Sequence, residues 1–268
     1  METKNISKAS LGSKLLAYLS YKNESDYQKM LSDINSRFEP NKDEFDKFAM
    51  EFECKDFNFV TLIDAAYPSL LKSKPMPPLV LYYRGDLELL SDSNYELRTA
   101  ILGTSKPTDR ALHQTHELAL SLAKENKILV SDLSKGISTE AIKTFLDNNQ
   151  KVIILLPCGL NNIYPIENKD LIDSVIAAGG LVITEFPDWS GASMLSLARK
   201  NVILGLLAKE YTFIQMKRNK GSLAVAISSA LQNGASINAV PDTEDSENAC
   251  NDLIVEGAYP LFDLAYVK

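Results

Sequence analysis

A chain of 268 residues with 45% hydrophobic content can bury one good core plus a smaller unit, and its apolar runs are all too short to span a membrane. The first ten residues hold no apolar signal core, and Cys54, Cys158 and Cys250 stand far apart, so reduced thiols in a cytoplasmic protein are expected rather than a disulfide framework or a metal site. A formal net charge of -7 opposes nonspecific attraction to nucleic acid and leaves only a local basic groove for such a role.

Short helices are predicted over 11–21, 26–38 and 43–52, joined by polar segments such as Lys22-Asn23-Glu24-Ser25 and Glu39-Pro40-Asn41-Lys42. They form an N-terminal helical domain, 1–54. A lead-in over 55–94 follows, with strands over 59–63 and 79–84 around the proline-stiffened connector Lys74-Pro75-Met76-Pro77-Pro78. From residue 98 strand and helix alternate. Strands over 98–102, 128–130, 152–156, 181–184, 211–216 and 236–240 are separated by helices over 109–125, 139–146, 167–178, 194–207 and 222–233. This alternation favours a parallel sheet covered on both faces. The expected fold class is α/β, a Rossmann-like doubly wound parallel sheet spanning 55–268 with the small helical domain packed beside it as a separate body. Ligands of such sheets bind at the carboxyl ends of the strands. The apolar run Val202-Ile203-Leu204-Gly205-Leu206-Leu207 suits either self-association or a buried central helix.

The stretch Leu155-Leu156-Pro157-Cys158-Gly159-Leu160-Asn161-Asn162-Ile163-Tyr164-Pro165-Ile166-Glu167-Asn168 closes a buried strand and fixes the path after it. Pro157 and Gly159 stop the strand and permit a tight turn, Tyr164-Pro165 imposes an extended step, and Glu167-Asn168 stand where the next helix begins. With Tyr67-Pro68-Ser69-Leu70-Leu71, Pro77-Pro78-Leu79-Val80-Leu81 and Arg84-Gly85-Asp86, these residues resemble the DprA/Smf family of bacterial DNA-processing proteins. That family's motifs run as Gly-Ser-Arg, Ser-Gly-Leu-Ala-x-Gly-Ile-Asp, Gly-Leu-Asp-x-x-Tyr-Pro-x-Glu-Asn, Arg-Asn-Arg, Ser-Gly-Ser-Leu and Ala-Val-Pro-Gly. Here they read Gly103-Thr104-Ser105, Ser131-Asp132-Leu133-Ser134-Lys135-Gly136-Ile137-Ser138, Gly159 to Asn168, Arg199-Lys200-Asn201, Lys220-Gly221-Ser222-Leu223 and Ala239-Val240-Pro241-Asp242. Cys250-Asn251-Asp252-Leu253-Ile254-Val255-Glu256-Gly257-Ala258 resembles the family's closing motif, and the match covers about 59–258 in order. The sequence ends ten residues after Ala258, short of the winged-helix domain of some members.

The departures mark a divergent member. Ser105 stands for the motif arginine, Asp132 for a glycine, Ser138 for an aspartate, Pro157 for a glycine and Gln215 for an acidic residue. Serine in place of arginine removes a planar fork that holds phosphate and leaves one hydroxyl. The resemblance implies a binder of single-stranded DNA that hands its strand to the recombinase RecA in natural transformation and forms a homodimer, without catalysis, cofactor, metal or membrane. The alternative is a sensor or hydrolase that keeps the fold and binds a free nucleotide in the cleft.

Basic residues fall on the predicted turns: Lys106 and Arg110 after the first, Lys135 in the second, Arg199 and Lys200 at a helix start, and Lys217, Arg218 and Lys220 after a strand. Strand ends and helix starts also offer free amides to anions. The candidate phosphate and DNA contacts are these cations with Gly103, Thr104, Ser105, Ser131, Gly136, Gly159, Asn168, Gly221 and Ser222. Single lysines are otherwise solvated charges, and Gly221-Ser222 reads equally as a phosphate cradle or as an ordinary turn with Ser222 as helix N-cap. His113 and His116 lie three apart, without the spacing of a zinc motif, so a solvated helix face is preferred. Trp189, the only tryptophan, stands in a loop where it either stacks on a base or seals the sheet edge. No Rossmann G-x-G-x-x-G turn, Walker loop or nucleophile elbow is present.

Overall fold

The computed structural model describes residues 6–217, 221–245 and 247–262. Three helices come first: α1 (Leu11–Lys22), α2 (Tyr27–Asn35) and α3 (Lys42–Glu53). Each starts at a polar cap, since Ser10, Asp26 and Asn41 accept from free backbone amides of the first turn. The lead-in holds β1 (Asn58–Thr61), α4 (Ser69–Lys72) and β2 (Val80–Gly85). Then come β3 (Arg98–Gly103), α5 (Asp109–Lys124), β4 (Ile128–Asp132), α6 (Ile137–Asp147), β5 (Val152–Leu155), α7 (Lys169–Ala177) and β6 (Leu181–Thr184). The last part comprises α8 (Met194–Leu207), β7 (Glu210–Ile214), α9 (Leu223–Gln232), β8 (Ser236–Ala239), α10 (Ala249–Val255) and β9 (Tyr259–Pro260).

Among the described residues the strands form one sheet in the order β1-β2-β6-β5-β4-β3-β7-β8-β9. From β6 to β9 all neighbours pair in parallel, whereas β2 joins β6 and β1 joins β2 antiparallel. The sheet is thus mixed and mostly parallel. The chain steps outward from β3 through β4 and β5 to β6, and α8 then returns it to β7 on the other side of β3. That reversal makes the carboxyl end of β3 the switch point where sheets of this type open a crevice.

Successive strand residues face opposite layers. Ile101, Leu129, Ile154 and Val182 pack with Leu118, Phe145 and Val175 of α5, α6 and α7, while Ala100, Leu102, Val130 and Phe213 pack with Leu204, Ala230 and Leu253 of α8, α9 and α10. The N-terminal helices pack on one another through Tyr18 with Phe38, Phe45 and Phe48, and on the sheet as well. Ala17, Leu19, Met30 and Phe52 belong to the same cluster as Phe59, Tyr82 and Val182, so the separate body expected from the chain order shares its core with the sheet.

The run from Val202 to Leu207 is not a surface for self-association, because Ile203, Leu204 and Leu207 are buried between the sheet and α9. A Cβ on Gly205 would lie 2.4 Å from the Ala226 carbonyl oxygen, which is how closely the two helices approach. The strand expected over 211–216 stops at Ile214, since Gln215 takes a left-handed φ of 46° and turns the chain.

Candidate functional site at the switch point

Three turns meet above the ends of β3, β4 and β7 and enclose a pocket of about 270 Å³. Gly103, Thr104 and Ser105 line it at the end of β3, Asp132, Ser134 and Ser138 from the end of β4 into α6, and Lys217, Gly221 and Ser222 after β7. Glycines make the turns fit. A Cβ on Gly103 would lie 2.0 Å from the Ile214 oxygen, and one on Gly136, at φ +75°, 2.5 Å from the Thr104 oxygen. In that space the Thr104 carbonyl accepts from the Ile137 amide at 3.3 Å, and the Thr104 amide donates to the Gln215 carbonyl at 2.8 Å. Gln215 Oε1 accepts from the Thr108 amide at 2.8 Å and so ties the β7 turn to the start of α5.

A buried ion pair underlies the pocket. Lys200 Nζ lies 2.5 Å from Asp132 Oδ2, with the two side chains 5% and 7% exposed. Asp132 also accepts from the Ser134 amide, the Ser134 hydroxyl and the Ser138 hydroxyl at 3.2, 2.8 and 2.9 Å. Burial pushes the carboxyl pKa up, but the Lys200 charge and these hydrogen bonds outweigh it and hold Asp132 below its ordinary value. The carboxylate is therefore an ionised acceptor already filled by four donors, with no lone pair poised to take a proton from a ligand.

Several expected contacts face elsewhere. Lys200 spends its charge on Asp132 rather than on the pocket, and Ser131 is fully buried with its hydroxyl donated to the Asp132 carbonyl at 3.0 Å. Arg199 donates from Nε to Glu185 at 2.8 Å and from Nη2 to the Met76 carbonyl at 2.6 Å. Burial raises the Glu185 pKa despite that guanidinium. Arg110 pairs with Glu244 at 2.8 Å and Lys135 with Glu167 at 2.7 Å. Asn168 is a brace for the β4–α6 turn, donating to the Leu133 carbonyl and the Thr139 hydroxyl, both at 2.8 Å. Gly159 serves packing, since a Cβ there would lie 2.0 Å from the Pro187 oxygen. His116 Nδ1 lies 3.1 Å from the Thr144 hydroxyl, and no metal-holding group of His, Cys, Asp and Glu occurs among the described residues.

What remains at the pocket is compact. Lys106 and Lys217 are exposed and form no ion pair among the described residues, and the Thr104 hydroxyl accepts from the Lys106 amide at 3.2 Å. Gly221 holds φ +52°, and among the described residues no atom beyond its chain neighbours lies within 4 Å of where a Cβ would stand, so it is open to the pocket. Ser222 occupies the N-cap position of α9 without a side-chain cap bond, and its carbonyl accepts from Asn201 Nδ2 at 2.8 Å. Arg218 and Lys220 lie outside the described residues. Sequence reasoning missed the hydroxyls of Ser134 and the bracing role of the Gln215 side chain. Of the departures from the motifs, Asp132 and Ser138 line the pocket and Gln215 braces the turns around it.

A larger cleft, of about 640 Å³, opens beside Arg199 between the α1–α2 turn and the loop after β6 that carries Trp189, whose ring is 48% exposed.

The family model for DNA recombination-mediator protein A matches residues 58–267. Protein Smf of Synechocystis sp. is 32% identical over 214 residues, 79% of this chain and 53% of its own length, so the chain spans about half of that relative. DNA processing protein DprA of Streptococcus pneumoniae is 28% identical over 208 residues, 77% of this chain and 71% of the relative. Among solved structures, DNA processing protein A from Helicobacter pylori, studied for its single-stranded DNA binding mode, superposes with a TM-score of 0.67 at 27% identity, over 79% of this chain and 93% of that one. The Streptococcus pneumoniae DprA structure superposes at 0.72 with 23% identity over 97% and 95%, a likeness of fold.

Proposed function

Because the chain belongs to the DNA recombination-mediator protein A family, we propose that it binds single-stranded DNA at the switch-point pocket and holds it without chemical turnover. The observation that carries this reading is the pocket's surviving anion chemistry: turn amides at the start of α9, the hydroxyls of Thr104, Ser105 and Ser222, and, on the rim, Lys217, which has no ion pair among the described residues, with Lys106 in the same turn as Ser105. Amides and hydroxyls of this kind hold phosphate without reading sequence. Arg218 and Lys220 flank the same turn in sequence and join the proposal as cations, whereas Arg110, Lys135, Arg199 and Lys200 already neutralise carboxylates. Asp132, filled by its four donors, supports binding rather than catalysis. Delivery of the strand to RecA, a homodimer and a cytoplasmic setting belong to the same proposal through the family resemblance. No helix of the described residues is long and apolar enough to cross a membrane.

Titration with an oligothymidylate and with a mononucleotide across a salt series tests this reading. The oligonucleotide should bind far better, with affinity falling steeply as salt rises. Lys217→Ala should weaken binding and reduce the salt slope by roughly 0.7, the value for one single-strand phosphate contact. A pocket of about 270 Å³ is also near the size of one nucleotide, which is what favours the free-nucleotide alternative. Equal affinity for both ligands, or no oligonucleotide binding at low salt, would select that alternative.

A further inference from the structure

The larger cleft has one wall that the family match does not reach. The match begins at residue 58, whereas residues 22–29, at the α1–α2 turn, line the cleft across from Trp189, Leu195 and Arg199. Two residues of that turn, Glu24 and Ser25, hold left-handed backbone with φ of 53° and 58°, and so does Met76 of the same cleft at 51°. Non-glycine residues persist at such angles only where surrounding bonds over-determine them, and they concentrate at ligand clamps.

Here the bonds run to the loop after β6. Ser25 Oγ donates to the Glu185 carbonyl at 2.5 Å, and the Tyr21 hydroxyl donates to Asp188 Oδ1 at 2.6 Å. Asp188 is 3% exposed and gathers donors from three separate parts of the chain. Besides Tyr21 of α1, its Oδ2 accepts from Lys55 Nζ at 2.9 Å and from Asn161 Nδ2 at 2.8 Å. The Asn161 amide donates in turn to the Asp188 carbonyl at 3.0 Å. The residues that follow belong to the cleft lining: Trp189 offers an exposed ring, and Ser190 has a buried hydroxyl with no partner among the described residues. Asp188 therefore ties α1 to the loop that carries Trp189, beside the Ser25 link to the Glu185 carbonyl.

We propose that the larger cleft is a second contact for the strand held at the switch point, with the α1–α2 turn as its working wall, and that Asp188 is the positioning residue that locks this turn, through Tyr21, to the loop presenting Trp189. The ligand, single-stranded DNA, rests on the function proposed above; the lock does not. Lys29 is the cation this wall offers, since it is 69% exposed and its link to Asp26, at 3.6 Å on the surface, is weak.

Trp189 reports on the lock directly, as the only tryptophan of the chain. Acrylamide quenching of its fluorescence and oligothymidylate titration are measured on the full chain and on Tyr21→Phe, Asp188→Asn, Lys29→Glu and the control Lys47→Ala. Tyr21→Phe keeps the ring that packs on Phe48, Phe52 and Tyr82, so it retains the fold and removes only the donor. Tyr21→Phe and Asp188→Asn should each make Trp189 clearly more accessible and weaken DNA binding by up to about tenfold, the worth of one charged hydrogen bond. Lys29→Glu should weaken DNA binding while leaving Trp189 quenching at the parent value, and Lys47→Ala should change neither. The proposal is overturned if Trp189 in Tyr21→Phe is quenched like the parent, or if its accessibility rises while affinity stays unchanged. A parent that binds no oligothymidylate overturns the DNA reading alone, and quenching then still decides the lock.

Discussion

At Lys200 the residue type and its surroundings point in opposite directions. A lysine on a helix beside the cleft reads as an anion contact, yet Lys200 lies in the middle of α8 with its charge buried against Asp132, 68 residues away in the chain. Asp132→Asn should leave that ammonium facing a neutral amide and cost about 3–5 kcal/mol, whereas Asp132→Asn with Lys200→Met should recover most of the loss, as read from urea denaturation. The pH dependence follows from the same contact. Because Asp132 has a native pKa below its ordinary value, the unfolded chain binds the proton more readily. Its stabilisation is full above the ordinary aspartate pKa of about 3.9 and is lost as pH falls through the native value. Asp188 acts in the same direction: burial opposes, but hydrogen bonds from Tyr21 and Lys55 prevail. Glu185 runs the other way, since burial raises its pKa and its ionised form is a cost that acid relieves. The double variant should therefore lose less stability than the parent between neutral pH and about pH 3, measured as urea midpoints. Gly103 and Gly136 were legible in sequence because turns that bring backbones together call for glycine. Lys200 was not, because burial of a charge depends on a partner that local pattern does not reveal.

Elements were legible where periodicity sets them. The alternating strands and helices from β3 to β8 follow from period and length, and the caps at Ser10, Asp26 and Asn41 from residue type. Strand direction at the edge was not, because β1 and β2 are short apolar runs whose pairing is set by the proline-stiffened connector and the open edge of β6. The α8–α9 contact was also hidden. Glycine within a helix ordinarily favours replacement by alanine by about 0.5–1 kcal/mol. At Gly205, however, an added methyl would meet the Ala226 oxygen at 2.4 Å and the Ser229 Cβ at 2.7 Å. Gly205→Ala should accordingly destabilise the protein by about 1–3 kcal/mol, and a thermal melt showing an unchanged or raised midpoint would count against this account of the packing.

For the whole molecule the question is whether the helices before residue 55 unfold with the sheet. Phe52 joins Tyr21, Phe48, Phe57, Phe59 and Tyr82 in one aromatic cluster that bridges α1, α3 and the first two strands. A shared core predicts one cooperative transition, with far-UV circular dichroism and Trp189 fluorescence changing together, and a loss of about 3–5 kcal/mol in Phe52→Ala. Two separated transitions would show that the N-terminal helices fold as an independent domain. The Asp132–Lys200 pair carries a further consequence, for the lineage rather than the fold. Both positions depart from the family pattern, which has glycine at one and asparagine at the other, and the two departures touch. Losing either charge by itself would leave the other buried without its partner, at a cost comparable to much of a small domain's stability of about 5–15 kcal/mol. The pair works as a ratchet: descendants can drift around it, but they can leave it only by changing both residues together.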